Sequence, residues 1–301
     1  MARYLVTGGA GFIGSHLVDA LLATGSQVLV LDDFSTGKQE NLPPSVQVLE
    51  GNVAEPATVH AAMAGMDGCF HLAAIASVAR GNEDWPGTHR VNVGGTVAVL
   101  DAARAEGGLP VVYASSAAVY GDTGERVAHE GLRPAPRTAY GADKLGSEQH
   151  AAVGALVHGV PSVGLRFFNV YGPRQDPASP YSGVISIFAR RAAEGRGVTV
   201  HGDGQQTRDF VFVADVVAHL QAAMHRAAAH HGAGVFNVCT GQATSILELA
   251  NLLGARPIER GPARAGDIRH SRGDPWMATE MLEVAAKVPL SAGLATLRRQ
   301  R

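Results

Sequence analysis

Tyr140 and Lys144 stand four residues apart, near the start of a stretch whose apolar residues recur at helical spacing. Positions i and i+4 share a helix face, so a phenol and an ammonium would point the same way. Upstream, Ser115 and Ser116 follow the apolar run Pro110–Ala114 (PVVYA). A hydroxyl, a phenol and an ammonium brought together make a device for moving one proton. Free tyrosine, with a pKa near 10, is a poor base at neutral pH, and lowering it to neutrality takes about 4 kcal/mol of differential stabilisation. A neighbouring cation supplies that field and matches the base to its working pH. Alone, a Tyr-x-x-x-Lys pair is common on exposed helices, so the weight falls on the combination with the serines.

A second constellation lies at the N-terminus. Residues 7–14 read TGGAGFIG, with Gly8, Gly11 and Gly14 spaced G-x-x-G-x-x-G. Glycines between a strand and a helix let backbone approach a pyrophosphate and let the helix pack on the sheet. Free N–H groups at the helix start then face the anion. The same spacing would also serve a plain tight turn. Asp32, 18 residues beyond Gly14, closes the next strand pattern. A carboxylate there accepts from the adenosine ribose hydroxyls and repels a 2′-phosphate, which selects NAD over NADP. The residues that follow, Asp33-Phe34-Ser35, include no arginine to receive an extra phosphate.

These groups need a frame, and the chain alternates short apolar runs with helical patterns. Arg3–Thr7, Gln27–Asp32, Val46–Glu50, Gly68–Leu72, Pro110–Ala114 and Ser162–Phe167 read as strands; Phe12–Ala23, Ala57–Ala64, Thr88–Glu106 and Tyr140–Val157 read as helices. Runs apolar throughout, such as QVLVLD, suit strands covered on both faces. The alternation predicts an α/β fold, a Rossmann-like doubly wound parallel sheet. In such a sheet ligands bind beyond the strands' carboxyl ends, where Ser115 and Ser116 fall. After Phe168 the pattern changes. Residues 172–183 read as a loop, 183–194, 214–226 and 245–253 as helices, and 198–200, 208–211 and 235–238 as short strands. We therefore expect a nucleotide-binding domain over 1–168, a smaller α/β substrate domain over 169–301, and a return of the 235–238 strand to the first domain. Residues 254–274 read as a loop, and the tail 289–301 shows no closing helix pattern.

The 301 residues carry 25 basic and 27 acidic side chains. That balance offers no phosphate-neutralising surface, so nucleic acid is not an expected partner. No apolar window approaches the length of a membrane helix, and neither a membrane partner nor a signal peptide is expected. Two cysteines, Cys69 and Cys239, make no disulfide framework and suit a reducing, cytoplasmic setting. The 13 histidines show no ligand spacing, so no metal is expected. His71 and Cys69, on a strand pattern, read as core residues, and Tyr120 as structural.

TGGAGFIG, SSAAVYG and YGADK resemble the extended short-chain dehydrogenase/reductase superfamily. RFFNVYGPRQ at 166–175, GDGQQTRDFVFVADV at 202–216 and RAGDIRHS at 264–271 narrow the resemblance to its NAD-dependent nucleotide-sugar epimerase/dehydratase family, over nearly the whole chain. The resemblance implies that Ser116, Tyr140 and Lys144 are catalytic. It places NAD against Gly8, Gly11, Phe12, Ile13, Gly14, Asp32, Asp33, Asn52, Val53, Leu72, Ala73, Ala74, Asn92, Ala114, Tyr140 and Lys144. Gly51-Asn52-Val53 stands where Gly-Asp followed by an apolar residue is usual; the Asn52 carbonyl can still accept from the adenine amino group. Asn169 and Arg208 match residues that hold the nucleotide-sugar diphosphate, and Arg264 and Asp267 a further pair that closes on nucleotide and phosphate. Two arginines can chelate a diphosphate bidentately. Ser115 and Ser116 would face the sugar. The helices at 88–106 and 140–157 resemble those that pair in a homodimer's four-helix bundle.

Dehydratases and decarboxylases similar to this family carry an acid between the active-site hydroxyl residue and Val-Tyr-Gly. Ala117 and Ala118 occupy that stretch here. Without a titratable group the simplest reaction is reversible oxidation at C4 of a UDP-sugar, which is 4-epimerisation with NAD regenerated each cycle. Ser271 matches the position beside the C2 substituent, where a small residue leaves room for an N-acetyl group. UDP-glucuronate 4-epimerisation, a dehydratase, a 4-ketoreductase and a non-catalytic NAD sensor stay as alternatives.

Overall fold

A computed structural model of the chain describes residues 1–76, 78–176, 183–263 and 267–298. In chain order the first half runs β1 (Arg3–Thr7), α1 (Phe12–Ala23), β2 (Gln27–Asp32), β3 (Gln47–Glu50), α2 (Pro56–Met63), β4 (Gly68–His71), α3 (Val78–Glu83), α4 (Trp85–His89), α5 (Gly95–Ala105), β5 (Val111–Ser116) and α6 (Ala139–His158). It continues through β6 (Ser162–Phe167), β7 (Asn169–Tyr171), α7 (Val184–Ala193), β8 (Val198–His201), β9 (Thr207–Arg208), β10 (Phe210–Phe212) and α8 (Val213–Ala229). Last come β11 (Ala233–Val238), β12 (Thr244–Ser245), α9 (Ile246–Leu252), β13 (Ile258–Gly261), α10 (Trp276–Met281) and α11 (Leu290–Arg298).

Seven parallel strands form the central sheet in the order β11-β6-β5-β4-β1-β2-β3. The winding reverses between β1 and β4, the crevice where doubly wound sheets take ligands. Apolar residues cover both faces because successive strand side chains point opposite ways. Leu5, Leu31, Val111 and Tyr113 face Val59, Met63 and Val99 of α2 and α5. Val6, Val30, Val112 and Leu165 face Leu17, Val18 and Leu220 of α1 and α8. A third core gathers Tyr171, Phe188, Val198, Val200, Phe210, Leu249 and Leu294 from the later elements.

Three features differ from the expectation. The helix expected over 88–106 is interrupted: α4 ends at His89, Arg90–Gly94 forms a π turn, and α5 begins at Gly95. Such single π turns concentrate at functional sites, and this one carries Asn92. The loop expected over 254–274 contains β13, which pairs in parallel with β8; that partner lies some 60 residues upstream, too far for a local pattern to show. The tail does close with a helix, α11. Leu290, Leu294 and Leu297 pack against the third core, and Gly293, which reads as a breaker, sits against the Tyr171 ring, where a Cβ would lie 2.1 Å from the hydroxyl. The Asp215 carboxylate fixes the approach to α11 by accepting from the Lys287 and Val288 N–H groups, each at 3.0 Å.

At the ends of β1 and β4 a buried polar chain ties the glycine turn to the helices behind it. Thr7 Oγ1 meets His71 Nδ1 at 2.8 Å, and His71 Nε2 meets Thr96 Oγ1 of α5 at 3.2 Å. Thr96 meets Ser147 of α6 at 3.0 Å. Burial, with the Lys144 charge nearby, pushes the His71 ring down from 6.5 to about 3. Below pH 6.5 the unfolded chain binds a proton that the folded ring refuses, so stability falls as pH drops through that window. The loss from this group reaches about 2 kcal/mol by about pH 5. Urea midpoints of the wild type and His71→Asn, measured at neutral and mildly acid pH, check this: the variant should lose less stability on acidification, and equal losses would contradict it.

Candidate active site

Three elements meet at the carboxyl ends of β1, β4 and β5. The first is the turn after β1. Gly8 takes a left-handed φ of +71°, and a Cβ there would lie 2.6 Å from the Ala73 nitrogen, so only glycine lets the turn abut the loop after β4. Gly11 is the N-cap of α1, no side chain caps the helix, and its first turn holds no acid. Gly14 is buried within that first turn, with Phe12 and Ile13 beside it. The N–H groups of this turn are a ready anion cradle. That cradle fits the pyrophosphate of a dinucleotide.

Asp32 lies at the end of β2, buried, its Oδ2 accepting from the Ala10 N–H and its Oδ1 from Phe34 N–H, each at 2.9 Å. Burial raises its pKa while the two backbone bonds oppose the rise. An ionised carboxylate offers about four acceptor sites, so two stay open for ribose hydroxyls. Asp33 is exposed, and its carboxylate accepts from Ser35 N–H and Oγ. The Asn52 carbonyl accepts from Ala54 N–H at 2.8 Å, and Val53 is buried against Gly95 of α5.

Leu72, Ala73 and Ala74 leave β4 in a partly buried loop. Asn92, on the π turn, braces the next residue: its Oδ1 accepts from Ile75 N–H at 2.8 Å and its Nδ2 donates to Ile75 O. The π turn thus aims a buried amide at the loop lining the crevice.

The third element brings the catalytic candidates together. Ser116 ends β5 and caps a short 3-10 turn over Ala117–Tyr120, its Oγ accepting from Ala118 N–H at 3.1 Å. Thr138 caps α6 in the same way, accepting from Gly141 N–H at 3.0 Å. The two turns touch at Gly141, where a Cβ would lie 2.7 Å from the Ala118 carbonyl. That close approach sets the Tyr140 phenol beside the Ser116 hydroxyl, which favours its ionised form. Lys144, one turn on, is buried and donates to Ala114 O at 2.7 Å, with its Nζ 5.8 Å from the Tyr140 ring centre.

The electrostatics refine the expectation for this base. Burial pushes the Tyr140 phenol up, and the Ser116 hydrogen bond pulls the other way. Desolvation therefore outweighs what the protein's own groups supply. Burial also lowers Lys144 to about 8, while the Asp143 and Glu148 carboxylates hold it up. Ser115 faces away from Ser116, as neighbours on a strand must; it is buried, and its hydroxyl donates to Glu148.

On the opposite wall the later elements group the residues expected at a diphosphate. Asn169 starts β7, exposed, and its N–H bonds Asp209 O beside Arg208. Arg208 pairs with the Asp267 carboxylate and donates to Ile268 O at 2.8 Å. Ser271, partly buried, lies four residues further along that segment. Arg264 lies outside the described residues.

Residues 4–239 match the model of the NAD dependent epimerase/dehydratase family. The chain belongs to that family. It is 40% identical over 306 residues to a UDP-glucose 4-epimerase of Mycolicibacterium smegmatis, covering 97% of this chain and 96% of that protein. Its fold matches UDP-glucose 4-epimerase from Thermotoga maritima, solved with UDP-glucose, with TM-score 0.93, 35% identity and coverage of 98% and 97%. It also matches UDP-N-acetylglucosamine 4-epimerase from Methanobrevibacter ruminantium, solved with UDP-N-acetylmuramic acid, with TM-score 0.91, 30% identity and coverage of 100% and 99%.

Set within this family, the site contains groups that spacing alone did not single out. Glu148 stands four residues beyond Lys144 and forms a bidentate ion pair with Arg166 of β6, at 2.8 and 2.7 Å. The repeat Tyr140–Lys144–Glu148 was the available signal; the partner on a different strand was not. Asp209, fully buried, accepts from Thr240 N–H and Oγ1 and from the Gly241 and Gly273 N–H groups. Replacing Tyr140 by Phe deletes the candidate proton acceptor and keeps the ring. Turnover should fall about a thousandfold with nucleotide still bound; retention of about a tenth of wild-type turnover, measured by product chromatography on the holoenzyme, would contradict the assignment.

Proposed function

We propose that this chain is an NAD-dependent nucleotide-sugar 4-epimerase acting on UDP-hexoses and on their 2-acetamido counterparts. The observation that carries the reading is the joint placement of Ser116, Tyr140 and Lys144 beside Ala117 and Ala118. A base for O4 is present, and the stretch where related dehydratases and decarboxylases carry an acid has no titratable side chain. NAD, which the Gly8–Gly14 turn and Asp32 would hold, would supply the hydride acceptor, and its positive charge would favour the phenolate.

Tyr140 takes the O4 proton as the C4–H bond breaks and gives it back when the hydride returns to the other face. Ser116, beside the phenol, holds the same oxygen and shortens the proton's path. Lys144, anchored on Ala114 O, keeps a positive charge below the pair. The turn at Gly8–Gly14 and the Asp32 carboxylate hold the dinucleotide, with Asn92 shaping the loop over it. Asn169, Arg208 and Arg264 grip the diphosphate and Asp267, paired with Arg208, closes on the nucleotide, so the sugar can turn over while its nucleotide stays fixed. We assign nucleotide binding to residues 1–168 with the strand at 233–238, and substrate binding to the remainder.

Ser271 sets the room beside C2. A second copy of the chain covers α5 and α6, where Val97, Val153, Leu156 and Val157 are exposed, Leu156 at 87%; sedimentation should show a dimer that Leu156→Glu splits, and a monomeric wild type would reject it. Among the described residues no helix is long and apolar enough to cross a membrane, and both cysteines are free and buried, which supports a cytoplasmic setting.

Assays with UDP-glucose and UDP-N-acetylglucosamine side by side test the substrate reading. The wild type should convert both, and Ser271→Tyr should lose at least about tenfold in specificity for the acetamido sugar alone. No turnover of the acetamido sugar by the wild type would reject the wider pocket.

A further inference from the structure

An enzyme that oxidises a sugar and then reduces it must keep the ketone until the hydride returns. One buried chain of hydrogen bonds joins the part that oxidises to the wall that must hold the ketone. It starts on α6, where Glu148 lies one turn from Lys144 and accepts from Ser115 Oγ and both ends of the Arg166 fork. Arg166 Nη1 donates to the Tyr120 hydroxyl at 2.9 Å, and that hydroxyl donates to Asn237 Oδ1 at 2.7 Å. Tyr120 ends the turn that begins after Ser116.

Asn237, fully buried on β11, passes the connection on. Its Nδ2 donates to Ala128 O at 2.9 Å and Asp274 O at 3.2 Å, and its N–H bonds the Glu130 carboxylate at 2.7 Å. Ala128 in turn exchanges backbone bonds with Arg272 O and Asp274 N–H. Segment 272–274 follows Ser271 directly and is held from its other side by Asp209, the neighbour of Arg208. The Tyr120 hydroxyl is the one atom in this chain that accepts from the catalytic side and donates to the substrate side.

Building on the 4-epimerase reading, we propose that Tyr120 is a positioning residue that couples the Tyr140–Lys144 helix to the substrate wall at 271–274 and so retains the 4-keto sugar between the two hydride transfers. In the forward half, the C4–H bond breaks with its electron pair leaving as hydride, the O4–H bond breaks with its proton going to Tyr140, and the C4=O bond forms. A loosened wall releases the ketone at that point. The hydride then remains on the bound nucleotide, which stays reduced, and the cycle stops. Buried hydrogen-bonded networks hold one geometry when every member has a partner and loosen when one is deleted.

Tyr120→Phe deletes that hydroxyl and keeps the ring, which packs on Phe168 and under the Arg166 guanidinium. Holoenzyme is mixed with UDP-glucose, and bound reduced nicotinamide (near-ultraviolet absorbance) is followed together with epimer formation. Per epimer formed, Tyr120→Phe should leave about tenfold more enzyme reduced than the wild type, the scale of one buried hydrogen bond to a charged group. Free 4-keto sugar, trapped by borohydride in the filtrate, should rise in step. Tyr113→Phe, buried midway along β5, controls for loss of a buried tyrosyl hydroxyl and should leave the partition unchanged. Equal partition in wild type and Tyr120→Phe, or an equal rise in Tyr113→Phe, overturns the coupling while leaving the epimerase reading intact. If Tyr120→Phe does not fold, Asn237→Ser breaks the next link and should give the same rise. A wild type that neither epimerises UDP-hexoses nor reduces its nucleotide overturns the underlying reading and the proposal with it.

Discussion

A guanidinium on β6 and a carboxylate on α6, buried against each other one strand in from the edge of the sheet, organise the part of this protein that carries Tyr140 and Lys144. Arg166 sits on β6 with its neighbours apolar, and a lone charge there would be untenable. Glu148 meets it with two parallel bonds, while Ser115 donates to the carboxylate and Tyr120 accepts from the guanidinium. Burial and pairing pull on Arg166 in opposite directions; the pairing with Glu148 prevails, and its pKa is raised. Deleting one partner of such a pair costs about 3–5 kcal/mol because the other charge is left uncompensated. The consequence is geometric. α6 cannot slide or rotate on the sheet without breaking that fork, so Lys144 and Tyr140 are held one and two turns from a fixed point.

The glycine turn after β1 rests on a different constraint. β1 and β4 end side by side at the reversal of the sheet, and the turn after β1 must pass within contact distance of the loop after β4. Gly8 makes that passage possible, and Thr7, His71 and Thr96 fill the polar space behind it. Ser147 then reaches the same cluster from α6. The glycine turn and α6 are therefore two ends of one buried polar path. Its ring, His71, stays neutral through the physiological range, so the path carries position and not charge.

The strand–helix alternation was legible because each strand of the sheet is a local apolar run, and the glycine turn and Asp32 because their spacing is local too. The Tyr140–Lys144 pair was legible as an i, i+4 relation. What the chain concealed depends on contacts distant in sequence. β13 exists only because β8 lies beside it, and α11 only because Tyr171 and Phe212 receive its glycine face. The π turn that aims Asn92 has no signature in residue types. Arg166, Tyr120 and Asn237 each look like ordinary strand or turn residues until three strands bring them together. Ser115 and Ser116 look equivalent in sequence, and the pleat sends them to opposite faces.

Oxidation and re-reduction at one carbon leave a specific mark that no acid–base route shares. The hydrogen on C4 travels to the nucleotide and back as a hydride, never exchanging with water. The most direct measurement is therefore to supply UDP-glucose deuterated at C4, let the protein bring it to equilibrium, and locate the label by NMR and mass spectrometry. Full retention of deuterium at C4 in both epimers, with no label taken from heavy water in the reverse experiment, is the result this account predicts. Loss of the label to solvent, or its appearance at another carbon, would contradict it.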